Sequence, residues 1–367
     1  MERIRREPYR LLFPLGAVLA GTGVVPWVAF SLRLTQPSSP VFQLVGFRAI
    51  FHPLVEVEAV LGCFATGFLF TSIPRWTGSL PPSRWQLGLA LSAPLAIVAC
   101  AALNRWGTAQ LFWLALLAMA SEFTLRRIAA ARLLRPRAIW VAAGLAMGVA
   151  GALLAGLRDA LPAQGPLIYD LGRDLLLQGC FTGLVLGTAS AVARVPPAEG
   201  DPARTAELVL HGLGALALVG SFWLGAYVSQ PLAFAARAAV TLAAVLGPIR
   251  WSGLPRGLRR GMTRMALLLL PVGNAWLSLW PAHRRAGLHV IYLGCFATLA
   301  MVLTGSMDEK HLVRSDELAL AVGLLAFSLA ARILLELDPR DFYLWLGMAS
   351  ISFLFAAPLW AALTRRA

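Results

Sequence analysis

Residues 62–72 read GCFATGFLFTS, and the same Gly-Cys-Phe opening returns in GCFTGLVLGTAS at 179–190 and in GCFATLAMVLTGS at 294–306. Each phrase lies in an apolar run of about twenty residues, the length that a helix needs to cross the hydrocarbon core of a bilayer. Working outward from these phrases, we find twelve such runs, at 11–32, 54–72, 87–103, 108–125, 138–157, 175–193, 206–228, 231–249, 265–280, 286–306, 317–337 and 342–363. The sequence therefore predicts an all-α polytopic membrane protein with a single transmembrane domain over residues 1–367.

The composition supports an environment of lipid. The chain is 58% hydrophobic and only 14% charged, with a mean hydropathy of +0.71. A soluble protein of 367 residues could not hide that much apolar surface. The runs also lack the two-residue alternation of barrel strands, so helices are the remaining way to satisfy the backbone in lipid.

The arginines predict the orientation. Basic clusters at 1–10, 126–137, 250–264 and 364–367 all fall on one side of a twelve-span chain. The positive-inside rule then places both termini of this multi-pass protein in the cytoplasm. The net charge of +14 is explained in this way and does not require nucleic acid as a partner.

The three Gly-Cys-Phe phrases fall in the second, sixth and tenth runs, four helices apart each time. This spacing predicts three four-helix repeats, at 1–125, 126–249 and 250–367, packed around an axis. Chance recurrence is the alternative, because Gly, Cys and Phe are common in lipid-embedded helices. Small residues at these points favour close helix packing.

Ionisable residues concentrate in the outer half of the predicted bundle. Such groups cost free energy within a membrane and indicate functional sites, although charges near helix ends can also be paired or reach the surface. Arg237 and Arg332 lie too deep to reach the surface easily and require carboxylate or propionate partners. The predicted polar cluster is Glu56, Glu58, Arg237 and Arg332, with Arg173, Asp174 and Gln178 at the start of the sixth span.

The four cysteines lie within apolar spans, where they are expected to behave as small hydrophobic residues. A soft metal such as copper held by Cys63, Cys180 and Cys295 is the alternative, if the three repeats meet at an axis. No P-loop, nucleophile elbow or zinc-protease motif is present, so the sequence assigns no enzymatic reaction.

Residues 52–78, HPLVEVEAVLGCFATGFLFTSIPRWTG, resemble the core signature of the NnrS family of bacterial membrane proteins. In that signature a His-x-His-Glu run precedes an apolar helix that ends in Gly-Phe-Leu-x-Thr-Ala-x-Pro-Asn-Trp-Thr-Gly. The matching residues here are Gly67, Phe68, Leu69, Thr71, Pro74, Trp76, Thr77 and Gly78. The segments 172–181 and 288–306 resemble the family's Gly-Arg segment and its histidine-led helix, which places Arg173 and His289 on those positions. The resemblance implies a haem- and copper-containing protein tied to nitric oxide and nitrosative stress.

The chain also departs from that pattern. His52 falls on the first histidine, but Leu54 stands in place of the second and Val55 in place of the glutamate. After the tenth span the chain reads TGSMDEKHL, which leaves only His311 of the family's Gly-His-Thr-Gly-Arg. A metal site built on the lost residues is therefore not expected.

A weaker, architectural resemblance connects the twelve spans to the catalytic subunits of haem-copper oxidases and nitric oxide reductases, whose second and tenth spans hold a low-spin haem. No complete binuclear centre is visible here. What remains is a haem b held by His52 and His289, with Arg48, Arg173, Arg284 and Arg285 available for the propionates. The two histidines precede their glycines by ten and five residues, which corresponds to a depth difference of about 7 Å unless Pro53 breaks the helix.

Two functions therefore stay open. The first is an NnrS-type haem or copper protein that binds nitric oxide or exchanges electrons with a donor. The second is a secondary transporter or channel whose outer polar cavity binds a solute or a proton.

Overall fold

The computed structural model describes residues 2–34, 39, 51–131, 136–157, 165–192, 205–250, 253, 257–304 and 315–366. Every regular element in these ranges is helical, and the described residues contain no strand. The predicted all-α fold class is therefore confirmed.

Twelve long helices follow one another along the chain, and each overlaps one of the twelve predicted runs. They are α1 (Tyr9–Ser31), α2 (Phe51–Thr77), α3 (Arg84–Ala102), α4 (Trp106–Ala130), α5 (Pro136–Gly156), α6 (165–192), α7 (Thr205–Tyr227), α8 (Gln230–Arg250), α9 (Leu258–Leu279), α10 (Pro281–Thr304), α11 (Ser315–Leu337) and α12 (Phe342–Arg366). A short helix, Glu2–Arg6, precedes them.

Eleven of these helices are long and apolar enough to cross a membrane. The remaining helix, α6, consists of the segments Gly165–Asp174, Leu175–Gly179 and Cys180–Val192. Its first segment carries Asp170, Arg173 and Asp174, so its apolar part is confined to the later residues. The placement of both termini in the cytoplasm stays a prediction.

Local sequence explains how α2 ends and α3 begins. Gly78 follows α2 with φ of 65°, a left-handed conformation that glycine adopts without strain. Ser83 then begins α3 as a capping box, in which its hydroxyl accepts from the Gln86 amide at 3.4 Å and the Gln86 side chain accepts from the Ser83 amide at 2.9 Å. Pro53 does not interrupt α2, because it lies in the first turn, where proline is tolerated.

The chain divides into two compact units. Unit 1 comprises Met1–Ser72, Pro81–Leu116 and Tyr292–Ala367. Within it, α12 packs against both α1 and α11, and α3 packs against the early part of α2. Its core includes Phe64 stacked on Trp360, with ring centroids 4.1 Å apart, and the Trp360 indole donates to the Thr304 hydroxyl at 3.0 Å.

Unit 2 comprises Ile73–Leu80 and Leu117–Ile291. Here α5 packs along α6, and α7, α8 and α9 pack in succession. Glycines bring α5 and α6 into backbone contact: a Cβ on Gly144 would lie 2.7 Å from the Cys180 carbonyl, and one on Gly151 would lie 2.6 Å from the Gly172 carbonyl. The three predicted four-helix repeats and their arrangement around an axis stay predictions.

Candidate functional site

Each of the three Gly-Cys-Phe phrases adjoins a π-helical segment. Leu54–Leu61 ends directly before Gly62, Leu175–Gly179 ends on the second phrase's glycine, and Val290–Ala297 contains the third phrase. π-helical turns are rare and occur often at functional sites. The repeated phrase therefore has a repeated backbone conformation, and polar residues accompany it: Glu56, Glu58, Gln178 and His289.

In unit 1, His52 lies near the start of α2 among residues of two other helices. Its ring meets the Trp27 indole edge-on, with centroids 5.9 Å apart, and forms a hydrogen bond with the Gly23 backbone. Arg332 of α11 interacts with it electrostatically. The Glu56 carboxyl packs onto Gly23, where a side chain would collide with it. We call His52, Glu56 and Arg332 the His52 cluster.

Glu58 faces a different helix. Its side chain is fully buried, and its Oε1 accepts a hydrogen bond from Gln110 Nε2 of α4 at 2.9 Å. Gln110 is 3% exposed. The other carboxyl oxygen, Glu58 Oε2, and the amide oxygen, Gln110 Oε1, are both buried without a hydrogen-bond partner in the described part of the chain. We call these two residues the acid–amide pair.

In unit 2, Arg237 of α8 is 2% exposed, and α6 and α7 supply its partners. Its Nε donates to the Ser221 hydroxyl at 3.1 Å, Nη2 to the Ser221 carbonyl at 3.3 Å, and Nη1 to Gln178 Oε1 at 3.3 Å. The guanidinium also lies over the rings of Phe222 and Phe234, 3.8 and 4.6 Å from their centroids. These contacts replace the water that a buried cation loses.

The network continues from Gln178 to a carboxylate. Gln178 Nε2 donates to Asp174 Oδ1 at 3.3 Å, and Arg284 of α10 donates to both oxygens of Asp174 at 3.4 Å. Arg173 Nη2 lies 3.9 Å from the same carboxylate. We call Arg237, Gln178, Asp174 and Arg284 the Arg237 network. It provides the carboxylate that the sequence predicts a buried arginine to need, with an amide between the two.

His289 belongs to unit 2 and is partly exposed. Its Nδ1 lies 2.7 Å from the Arg285 carbonyl oxygen, which can only accept, so Nδ1 carries the proton and Nε2 the lone pair. Arg173 pairs with Asp170 at 3.3 Å. The remaining predicted site residue, Arg48, lies outside the described residues, as does His311.

The chain matches the NnrS protein family over residues 3–367. It belongs to the NnrS family. A comparison with curated proteins gave no match. The predicted resemblance is thus confirmed over almost the whole length, and the eleven apolar helices make this NnrS protein a multi-pass membrane protein.

The structure also explains the two departures from the NnrS pattern. Leu54 and Val55, which stand in place of the second histidine and the glutamate, are both fully buried apolar residues of the π segment in α2. Neither side chain can ligate a metal ion, so these two positions contribute apolar packing. The carboxyls of Glu56 and Glu58 follow within the same segment but meet different helices.

The predicted site residues of this NnrS protein are divided between the two units. The predicted polar cluster divides between the units, with Glu56, Glu58 and Arg332 in unit 1 and Arg237 in unit 2. His52 and His289 also belong to different units, and their pairing stays a prediction. Sequence reasoning missed Gln110 and Ser221, although an isolated amide within an apolar span was a usable signal.

Copper and haem need different numbers of protein ligands, so the described residues bear on them differently. All four cysteines are buried and free. Within the described ranges, no three His, Cys, Asp or Glu residues form a group able to hold a metal ion, so no copper site of that kind is supported there. A haem iron needs only one protein ligand on each face, and a single imidazole suffices for each. His52 and His289 as axial ligands of a haem stay a prediction.

Proposed function

We propose that this NnrS-family protein binds haem b and acts in the response to nitric oxide, with His52 and His289 as axial ligands. The main support for this proposal is that each of these histidines precedes the π segment of a Gly-Cys-Phe helix and forms a hydrogen bond with the backbone. His52 bonds to the backbone of Gly23, and His289 bonds to the carbonyl of Arg285. Such a bond fixes the orientation of a ligating imidazole and strengthens it as a donor to iron.

The surrounding arginines suit the propionates of such a haem. Arg332 acts on His52, and Arg285 and Arg284 lie four and five residues before His289. Arg173 and Arg48 are further candidates, Arg48 on sequence grounds alone. When bound, a haem would supply the iron for nitric oxide binding or for electron transfer from a donor. The positive-inside orientation would place this site in the outer half of the bacterial inner membrane.

Absorption spectroscopy of the purified full-length protein tests the proposal. We expect a Soret band, and sharp α and β bands after reduction, because two imidazoles are strong-field ligands. His52→Ala and His289→Ala should each lose the pigment or change its spectrum. His211→Ala is the matched control, because His211 accepts a hydrogen bond from the Trp140 indole at 2.8 Å within unit 2. A pigment unchanged in both ligand variants would contradict the assignment.

Metal analysis of the same preparation addresses copper. The described residues offer no group of three ligands, so we expect iron without stoichiometric copper. Copper bound in a one-to-one ratio and lost on mutation of Cys63, Cys180 and Cys295 would instead support the alternative ligand set.

A secondary transporter or channel is the second candidate, and the Arg237 network favours it. Buried ionisable groups within spans often line substrate or ion pathways. A colourless, metal-free preparation that catalyses solute or proton uptake into vesicles, with activity lost in Arg237→Met, would support this function over the haem protein.

A further inference from the structure

The acid–amide pair contains none of the residues proposed to hold haem and none of the Arg237 network. We propose that Glu58 binds one exchangeable proton, which its Oε2 shares with Gln110 Oε1, so that the two side chains form a cyclic acid–amide pair in the membrane-spanning part of unit 1. This proton-binding site does not depend on haem.

The proposal rests on the hydrogen bonds that the two side chains form and on those that they leave unmade. Gln110 Nε2 already donates to Glu58 Oε1 at 2.9 Å. The two remaining oxygens, one on each residue, are buried acceptors without partners in the described part of the chain. An ionised carboxylate and an amide oxygen are both acceptors, so neither can satisfy the other. A proton on Oε2 converts that oxygen into a donor, and a single hydrogen then satisfies both atoms.

The charges on the neighbouring helices also favour the acid form. The π segment of α2 packs against α1 and α3, and Gln110 comes from α4. Besides Glu58 itself, the ionisable side chains of these described elements within unit 1 are Tyr9 and Arg10 on α1, Arg84 and Cys100 on α3, and His52, Glu56 and Cys63 on α2.

Within the described residues, the carboxyl of Glu58 has Gln110 as its hydrogen-bond partner and forms no ion pair. Arg10 pairs with Glu7 at 2.7 Å, Arg84 is the first residue of α3, and His52 interacts with Gly23, Trp27 and Arg332. The stretch of α4 within unit 1, from Trp106 to Leu116, carries no charged residue. A buried carboxylate without a counter-charge is strongly unfavourable, whereas a hydrogen-bonded carboxylic acid is not.

The competing arrangement is an ionised Glu58 that holds a small cation, such as Na⁺, between the same two oxygens. Oxygen ligands suit such an ion, but the two atoms supply only two ligands. The two arrangements differ in the protonation of the carboxyl and in the response of the protein to salt, and both properties can be measured.

Infrared spectroscopy of the full-length protein in lipid detects the proton. At neutral pH we expect a carbonyl band of a protonated carboxyl that moves to lower frequency in D₂O, because the proton exchanges. Glu58→Gln should remove this band, and Glu56→Gln, the matched control from the same π segment, should leave it. Gln110→Leu should move it to higher frequency, since the hydrogen bonds to the acid are lost. The proposal would be overturned if Glu58→Gln left the carbonyl region of the spectrum unchanged, or if the frequency of the band did not change in D₂O.

Thermal unfolding supplies the second measurement. Glutamine at position 58 can donate to and accept from Gln110, so Glu58→Gln should melt at the temperature of the parent protein, in the presence of either Na⁺ or K⁺. A melting temperature that rises with one of these cations in the parent and not in Glu58→Gln would establish the cation site and refute the proton site. If Glu58→Gln fails to fold, the infrared spectrum of Gln110→Leu still tests the proposal. A carbonyl band that moves to higher frequency supports the shared proton, and an unchanged band refutes it.

Discussion

Arg237 shows how one residue can carry a charge into the interior of unit 2. A buried cation is tolerated only where hydrogen-bond acceptors and polarisable groups replace its water. Ser221 and Gln178 supply the acceptors, and two phenylalanine rings cover the guanidinium. Gln178 also donates to Asp174, so this single amide serves both an arginine and a carboxylate.

The central position of Gln178 gives a residue-scale prediction. Gln178→Leu removes an acceptor from Arg237 and a donor from Asp174, and we expect a loss of about 1–3 kcal/mol in the free energy of unfolding, because buried partners are left unsatisfied. The midpoint of thermal unfolding in detergent measures it. Gln230→Leu is the control: its amide accepts from Arg284 at 3.5 Å in a half-buried setting, so it should cost about 1 kcal/mol or less. An equal loss of unfolding free energy in the two variants would show that Gln178 does not stabilise the Arg237 network.

The sequence predicted the residues that need partners better than it predicted the partners. Arg237 and Glu58 stand out because charged side chains are rare within apolar spans. Their partners Gln178 and Gln110 lie 59 and 52 residues away along the chain, and only the packing of separate helices brings them near. Ser221 gave no signal, since serine is ordinary in membrane helices.

At the scale of elements, α5 and α6 approach more closely than side chains allow. Gly183 abuts the backbone of Gly144, and Gly172 would place a Cβ 2.6 Å from the Ala155 nitrogen. Small residues at helix interfaces let backbones meet, which favours association through van der Waals contact in lipid. The second Gly-Cys-Phe phrase lies within this contact, since a Cβ on Gly148 would meet the Cys180 sulfur at 2.8 Å.

This contact predicts a large difference between two chemically identical substitutions. Gly144→Ala should lower the free energy of unfolding by about 1–3 kcal/mol, because the new methyl group forces the helix backbones apart. Gly220→Ala in α7 adds the same methyl group where nothing lies within 4 Å, and it should leave stability within about 1 kcal/mol of the parent. Thermal unfolding of both variants in one detergent makes the comparison. Similar melting temperatures would show that the contact does not stabilise unit 2.

Helix type was less predictable than helix number. Hydropathy located the runs because burial in lipid requires apolar side chains, whatever the hydrogen-bond register. The same pattern does not distinguish α from π turns, so the three π segments were not predicted. Pro53 was a possible break, yet its position in the first turn lets α2 continue to Thr77.

At the scale of the whole molecule, the number of crossings decides on which side of the membrane each connection lies. Eleven helices meet the criterion of length and hydropathy over their described residues, and α6 begins with the charged residues Asp170, Arg173 and Asp174. Twelve crossings place both termini on one side, as the distribution of arginine predicts, whereas eleven place them on opposite sides. The role of α6 therefore fixes the topology of everything that follows it.

Two exposed residues on either side of α6 in the sequence can settle its role. Leu80 follows α2 and is 79% exposed, and Val228 follows α7 and is 73% exposed. Five crossings separate them if α6 spans the membrane, and four if it does not. The test uses intact cells whose outer layer lets the reagent through, and a maleimide that cannot cross the membrane holding the protein. The maleimide should label Val228→Cys directly. It should label Leu80→Cys only after that membrane has been disrupted. Labelling of both from the same side would contradict twelve spans. The four native cysteines are buried, so the background should be low.

The glycine contact between α5 and α6 also limits how unit 2 can move. With backbone against backbone at several glycines, neither helix can slide or rotate past its neighbour without first separating from it. Any conformational change must therefore carry the two as one rigid body, and its hinges must lie in the connections that flank the pair.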